Sequence, residues 1–269
     1  MPLETDTVKS ADKAATIETE TIEGVIRIIR IARYSARNAL DVATVSALGA
    51  AFESADKDPA IRVIVIAGHE KVFCVGSDIK EMLKDGLAPL VSDERVAGWA
   101  SIEQTAKPVI AAVNGYALGA GFELALTADF IVADAGARFG LPEVKIGVMP
   151  GDGGTQRLTR LVGRSVALRM ILTGDFFDSD QAVTAGFVTD IAEVGGALPC
   201  ALQLAAKIAA NAPLATLMAK KAVGAAGEDS LKEGLATESR GLRHLFETSD
   251  QKEGMRAFVE KREPRFKGK

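Results

Sequence analysis

Two short apolar runs constrain this chain more than any other feature. RVIVIA (Arg62–Ala67) and PVIAAV (Pro108–Val113) are β-branched, too short for helices, and each leads into a glycine-containing segment and then a helical pattern. A strand that is apolar on both faces belongs in a sheet covered on both sides, which is the situation of parallel strands between helices. Phe130–Ala133 (FIVA) reads as a third such strand and Phe187–Val194 (FVTDIAEV) as a fourth. Strands alternating with helices predict an α/β fold with mainly parallel pairing. The strand starts are unevenly spaced, so no strict sequence repeat is read from them.

The remaining segments fit around that frame. Thr16–Glu20 and Val25–Ile31 predict a hairpin turning at Glu23-Gly24. Asn38–Ala55 reads as a helix with Leu40, Val45, Leu48 and Phe52 on one face. Short helices are expected at Gly121–Thr127 and Asp152–Leu161, and a variable one at Val91–Glu103, with Trp99 as packing. From Pro199 the texture becomes helical and rich in small residues, with helices at Ala201–Asn211, Leu214–Ala226, Ser230–Phe246 and Glu253–Lys261. The expected organisation is a polar tail at 1–15, an α/β core at 16–198, and a helical C-terminal region at 199–269 that is either a separate lobe or an assembly element.

Composition removes several classes of function. With 269 residues, 48% hydrophobic and 25% charged, the chain is an ordinary globular protein and not a disordered one. No apolar run reaches the roughly 20 residues of a membrane span. Cys74 and Cys200 are too few for a disulfide framework, and His69 and His244 are too far apart for a compact metal signature. A net charge of −4 argues against a nucleic-acid partner. The first fifteen residues mix acids with lysines and contain no apolar stretch of a secretory signal, so a cytoplasmic location is expected.

Three glycine-containing segments stand out: Lys71–Lys80 (KVFCVGSDIK), Asn114–Glu123 (NGYALGAGFE), and Phe139–Glu143 (FGLPE) with Gly147–Thr155 (GVMPGDGGT). The first two share one form, a buried strand, a glycine turn, then a helix. Such turns leave backbone N–H groups unpaired, and helix N-termini add partial positive charge. Two of them facing one cavity make an oxyanion hole. Taken alone, either segment's glycines read first as tight turns and close helix–strand packing. Neither segment is a phosphate-binding fingerprint, since Leu124 stands where the last glycine would fall. Glu123 opens the helix after the second segment and Glu143 follows Pro142 twenty positions later, with mostly apolar sequence between. A carboxylate in apolar surroundings titrates higher, toward the range of a general acid or base. Singly, Glu123 reads first as a helix-dipole partner and Glu143 as a solvated loop charge, ahead of an acid–base role. No G-x-S-x-G context accompanies either histidine, and Cys74 reads as a small buried hydrophobe.

Taken together, NGYALGAGFELAL (Asn114–Leu126), FGLPEVKIGVMPGDGGTQRLTRLVG (Phe139–Gly163), ARNAL (Ala36–Leu40), FCVGSDIKEM (Phe73–Met82), IAANAP (Ile208–Pro213) and FVEKREPRF (Phe258–Phe266) resemble, in this order, the crotonase superfamily, and most closely its enoyl-CoA hydratases. The match runs from about Thr16 to Lys267. The resemblance implies a crotonase-like spiral of repeated ββα units with a C-terminal helical assembly region. It places oxyanion N–H groups on Ser77 and on Ala120, where the family usually has glycine. It places the catalytic pair on Glu123 and Glu143. Val75, Ser77 and Ile79 fall where the acyl-CoA lies, Gly151 where an N–H places the reacting water, and Arg37 near the CoA phosphates. Phe266 and Lys267 fall where the tail reaches a neighbouring subunit's CoA. Asp152 replaces a commonly small residue; its expected role is a helix N-cap, the alternatives being to raise the pKa of Glu143 or to narrow the acyl pocket.

The activity so implied is syn hydration of a trans-2-enoyl-CoA to a 3-hydroxyacyl-CoA, with Glu123 activating water and Glu143 delivering a proton. No metal or redox cofactor is expected, coenzyme A being part of the substrate. The expected assembly is a homotrimer or dimer of trimers, without nucleic acid or membrane. Three rivals are an enoyl-CoA isomerase, which moves one proton with one acid, an RNA-binding relative, and a non-catalytic CoA-binding protein. The RNA-binding relatives need a lysine-rich first helix, and Asn38–Ser54 contains neither Lys nor Arg.

Overall fold

The computed structural model describes residues 16–269, so the polar tail at 1–15 lies outside the described residues. Six strands form one sheet in the order β1 (Ile17–Ile22), β2 (Ile26–Ile31), β3 (Val63–Ala67), β5 (Val109–Val113), β7 (Phe130–Asp134) and β10 (Asp190–Ala192). The β1–β2 hairpin is antiparallel and every later pairing is parallel. All ten residues of β3 and β5 are buried, as their composition predicts. Their side chains alternate between two cores. Ile64, Ile66, Val109, Ala111 and Val113 join Leu48, Phe52 and Phe122 on one face. Val63, Val65, Ile110 and Ala112 meet Ala197, Ala201, Ala205 and Ala209 on the other. Those four alanines recur every fourth residue of α8 (Ala197–Ala209), so one small-residue ridge lies flat on the sheet.

A second sheet is not foreseen in the sequence. It consists of β4 (Val72–Cys74), β6 (Tyr116–Leu118), β8 (Arg138–Gly140) and β9 (Phe177–Asp178). The chain runs β3 to β4, β5 to β6 and β7 to β8, one long strand in the first sheet and one short strand in the second each time. This is the spiral of ββα units. The α2 (Ile79–Asp85) and α4 (Ala120–Ala125) helices follow β4 and β6, and a 3₁₀ turn (Pro142–Ile146) leads from β8 toward α5 (Gly154–Val162). Parallel pairing of Cys74 with Ala117 and of Leu118 with Gly140 sets the three following turns side by side.

Helix α1 (Val42–Lys57) packs on α3 (Asp93–Glu103) at a near-contact of backbones. A β-carbon on Gly49 would lie 2.5 Å from Gly98 Cα, and one on Gly98 would lie 2.6 Å from Val45 O. The remaining helices are α6 (Arg164–Thr173), α7 (Ser179–Ala185), α9 (Pro213–Ala225), α10 (Leu231–Leu245) and α11 (Ser249–Glu260). No single described helix is long and apolar enough to cross a membrane.

Several expectations are corrected. Asn38–Asp41 is not helical. Arg37 and Asn38 take left-handed backbone (φ 53° and 58°), and Asp41 caps α1 by accepting from Thr44 N. The buried Asn38 amide donates to Phe73 O at 3.0 Å, a tertiary bond that holds this conformation. FVTDIAEV contributes only Asp190–Ala192 to the sheet, because Phe187 and Val188 leave the α7 C-cap into the core. Pro199 sits in the first turn of α8, where its missing N–H is harmless, so the division at 199 falls inside a helix that covers the main sheet.

Gly98→Ala tests the α1–α3 contact. The added methyl must push the helices apart, and a loss of about 1–3 kcal/mol in urea denaturation is expected.

Candidate active site

Three turns meet at one end of the second sheet. In the first, Leu40 N donates to Gly76 O (2.8 Å) and Asp78 N donates to Leu40 O (2.9 Å). The chain on either side of Ser77 is thus pinned. The Ser77 N–H itself has no partner among the described residues. Asp78 also caps α2, accepting from Lys80 N at 2.9 Å, and pairs with Arg33 at 2.6 Å. In the second turn, Gly119 (φ 52°) precedes Ala120, the first residue of α4, and its N–H donates to Gly140 O. The Ala120 N–H is a helix-start donor with no partner among the described residues.

The two turns touch. Gly76 has φ 107°, and a β-carbon there would lie 3.1 Å from Leu118 O and 3.5 Å from Ala120 N. A β-carbon on Gly119 would meet Glu143 Oε1 at 3.3 Å. Glycine is therefore required at both positions for the backbone angle and for the approach of the third turn.

Glu123 and Glu143 line one cavity of about 420 Å³. Glu123 is 1% exposed, and its Oε1 accepts from Asp152 N (2.9 Å) and Gly154 N (2.7 Å). Burial pushes its carboxyl up to about 7, against those two donors, and the neighbouring Asp152 and Glu143 push the same way. The Glu143 carboxyl is likewise raised, first by burial and then by Asp152, and its buried Oε2 has no partner among the described residues. The cavity thus offers Glu123 and Glu143 poised above the usual carboxylate range, Asp152 raised beside them by burial, and two free backbone donors. That arrangement suits proton transfer next to an oxygen that gathers charge.

Val75, Ser77, Ile79, Ala120 and Gly151 also line the cavity, and its apolar wall includes Met82, Leu87, Leu90, Val91, Val148 and Met149. Arg37 is exposed and lies outside this lining. Phe266 and Lys267 lie elsewhere in the same chain. The Phe266 carbonyl accepts from Arg62, and Lys267 N donates to Asp250. Cys74 is buried with its thiol pushed up to about 12 by burial, which suits packing and not nucleophilic attack. Among the described residues, no three His, Cys, Asp or Glu side chains are arranged to hold a metal.

Asp152 does not cap α5. The N-cap is Gly153, without a side-chain bond, because the Asp152 carboxylate turns to Arg95 at 2.6 Å. Arg95, on α3, was not visible as a site residue in the sequence. Its only sequence signal is a cation in a helix next to Trp99, and its partner is 57 residues away.

Residues 20–269 match the family model described as enoyl-CoA hydratase/isomerase. The chain is 46% identical over 244 residues to the 2,3-dehydroadipyl-CoA hydratase of Escherichia coli K12, covering 91% of this chain and 96% of that protein. It is 45% identical to the mitochondrial enoyl-CoA hydratase of Pongo abelii, covering 90% and 83%. The crystal structure of enoyl-CoA hydratase subunit I from Geobacillus kaustophilus HTA426 superposes with a TM-score of 0.90 at 43% identity, covering 95% of this chain and 99% of that one. A carboxylate pair on one cavity, two turns with free amides, the two-sheet spiral and these likenesses converge on one conclusion: the chain belongs to the enoyl-CoA hydratase/isomerase family.

Proposed function

We propose that the protein is an enoyl-CoA hydratase, a hydro-lyase that adds water to a trans-2-enoyl-CoA to give the 3-hydroxyacyl-CoA. The observation that carries this reading is the pair Glu123 and Glu143 on one cavity with the unpartnered Ser77 and Ala120 N–H groups. The thioester oxygen accepts from those two amides. Each such donor contributes on the order of 2.7–4 kcal/mol when charge gathers on oxygen. Glu123 takes a proton from water as the water oxygen bonds to C3. The C2=C3 electron pair shifts toward the thioester oxygen, and Glu143 then gives a proton to C2. Held by two backbone N–H groups, Glu123 is a fixed base, whereas Glu143 has a free buried oxygen from which to deliver. The CoA thioester is the electron sink, so the reaction needs no other cofactor.

Val75 and Ile79 flank the bound thioester in this reading, Gly151 N–H orients the water, and Arg37 approaches the CoA phosphates from outside the cavity. Phe266 and Lys267 serve a neighbouring subunit. A homotrimer or dimer of trimers is supported by α9 and α10, which bury no residue within this chain and expose Val223, Leu231, Leu235 and Leu242, with Phe246 exposed at the α10 C-cap. Nothing in this scheme involves nucleic acid or a membrane, and a cytoplasmic location agrees with it. Two acids, where one suffices for moving a single proton, favour hydration over isomerisation.

Loss of enoyl absorbance with crotonyl-CoA tests the reading directly. Glu123→Gln and Glu143→Gln are each expected to lower kcat by about 10²–10⁴ while CoA binding by calorimetry is largely kept. Near-wild-type hydration by either variant removes that residue from the mechanism. Ala120→Pro deletes one amide donor at the first helical position, where proline is tolerated. A loss of about 10²–10³ in kcat with native circular dichroism is expected, and an unchanged rate rejects Ala120 as a donor. As a base that must be ionised, Glu123 requires kcat/KM to rise with pH through a midpoint near 7. A fall through that midpoint exchanges the roles of the two acids.

A further inference from the structure

Arg95 has no part in the chemistry just described, yet it is the largest of the most deeply buried side chains, at 1% exposure. Its Nη2 donates to Asp152 Oδ2 at 2.6 Å and to Ser77 Oγ at 3.2 Å. Asp152 N in turn donates to Glu123 Oε1. One nitrogen therefore joins the residue carrying one proposed oxyanion amide to the residue whose amide holds the proposed base. The guanidinium reaches this point from α3, which the Gly98–Gly49 approach fixes against α1, and it lies 5.9 Å from the Trp99 ring centroid.

Stability alone is a poor account of this pair. A buried ion pair replaced by apolar residues of similar volume is often neutral or more stable. Here the desolvation is also incompletely offset, because Arg95 Nε is buried without a partner among the described residues. What the pair does change is the field at the two glutamates. Facing Glu123 are Asp152 from the loop before α5 and Glu143 from the 3₁₀ turn, and facing Asp152 in turn are Arg95 and Glu103 from α3 and Arg157 from α5. Arg157 bonds Glu103 at 2.6 Å and the Asp152 carbonyl at 2.8 Å, and Lys145 lines the cavity mouth. Without Arg95, three carboxylates would crowd one cavity with only the outlying Arg157 and Lys145 to offset them.

We infer that Arg95 is a positioning residue with two functions: its Nη2 sets the spacing between the Ser77 turn and the Asp152 turn, and its charge cancels that of Asp152 beside Glu123 and Glu143. The inference rests on the hydratase reading. It makes Asp152 a member of the charge balance of the site and not a cap. The direction follows from sign. Removing the cation leaves Asp152 free to disfavour ionisation of Glu123, and removing Asp152 does the opposite.

The test is the midpoint of the rising limb of kcat/KM against pH in four proteins. Arg95→Met is expected to move it up by about one unit, a roughly tenfold loss at fixed pH below the midpoint. Asp152→Asn is expected to move it down, and the Arg95→Met/Asp152→Asn double variant to return it close to the wild-type value. Arg95→Lys keeps the charge but loses the planar reach to both partners, so it restores the midpoint with kcat still lowered. If the variants lose stability and active fraction while every midpoint stays in place, the pair is merely structural and the inference is overturned. Should Arg95→Met not fold, an unmoved midpoint in Asp152→Asn alone overturns it. The carboxyl ¹³C shift of Glu123, assigned with Glu123→Gln, reports the same midpoints without turnover. Expected shifts by NMR with no hydration by the wild type would sink the hydratase reading and leave the charge balance standing.

Discussion

The parallel pairing of three short strands governs everything at the cavity. Strands β4, β6 and β8 have three residues each, and neither their length nor their composition would hold a sheet in isolation. They persist because each is the continuation of a fully or largely buried strand of the main sheet. Their register then delivers three turns to one place, and the turns touch through Gly76 and Gly119 without side chains between them. Amides that would be ordinary loop donors elsewhere become convergent there.

The second constraint is electrostatic. Glu123 is placed where a carboxylate is costly to ionise, and Phe122 beside it anchors α4 in a cluster with Phe139 and Phe187, ring centroids 5.2–5.4 Å apart. The two amides at the start of α5 offset part of that cost and fix the side chain's orientation. The result is an acid held rigidly, yet titrating in a range where it can exchange protons at neutral pH.

The parts of this molecule legible in its sequence are those whose cause is local. β3 and β5 are covered on both faces, so their composition betrays them. The glycine turns and the two glutamates carry recognisable residue types at fixed spacing. What stayed hidden depends on partners distant in the chain. Val72–Cys74, Tyr116–Leu118 and Arg138–Gly140 have no periodicity long enough to read, and only one another's edges make them strands. Asn38 leaves the helix its neighbours suggest because Phe73 offers its amide a carbonyl. Asp152 has the right residue type for a cap and the wrong surroundings, since a guanidinium from another helix takes its carboxylate. Local propensity ranks these alternatives in the opposite order to the folded protein.

The segment from Ile79 to Val91 contributes five of the cavity's apolar lining residues, and three of them, Ile79, Leu87 and Val91, are more than half exposed. It spans the interval between a capped turn at Asp78 and a helix locked onto α1, and it shares no backbone ladder with the glutamate-bearing turns. Beyond Ile79, which flanks the proposed thioester position, no backbone ladder would carry a change of side-chain bulk to the acids or the amides. On the proposed hydratase reading, the wall from Met82 to Val91 is mechanically uncoupled from the turns that carry the acids and the amides, so its bulk is adjustable by surface replacement alone.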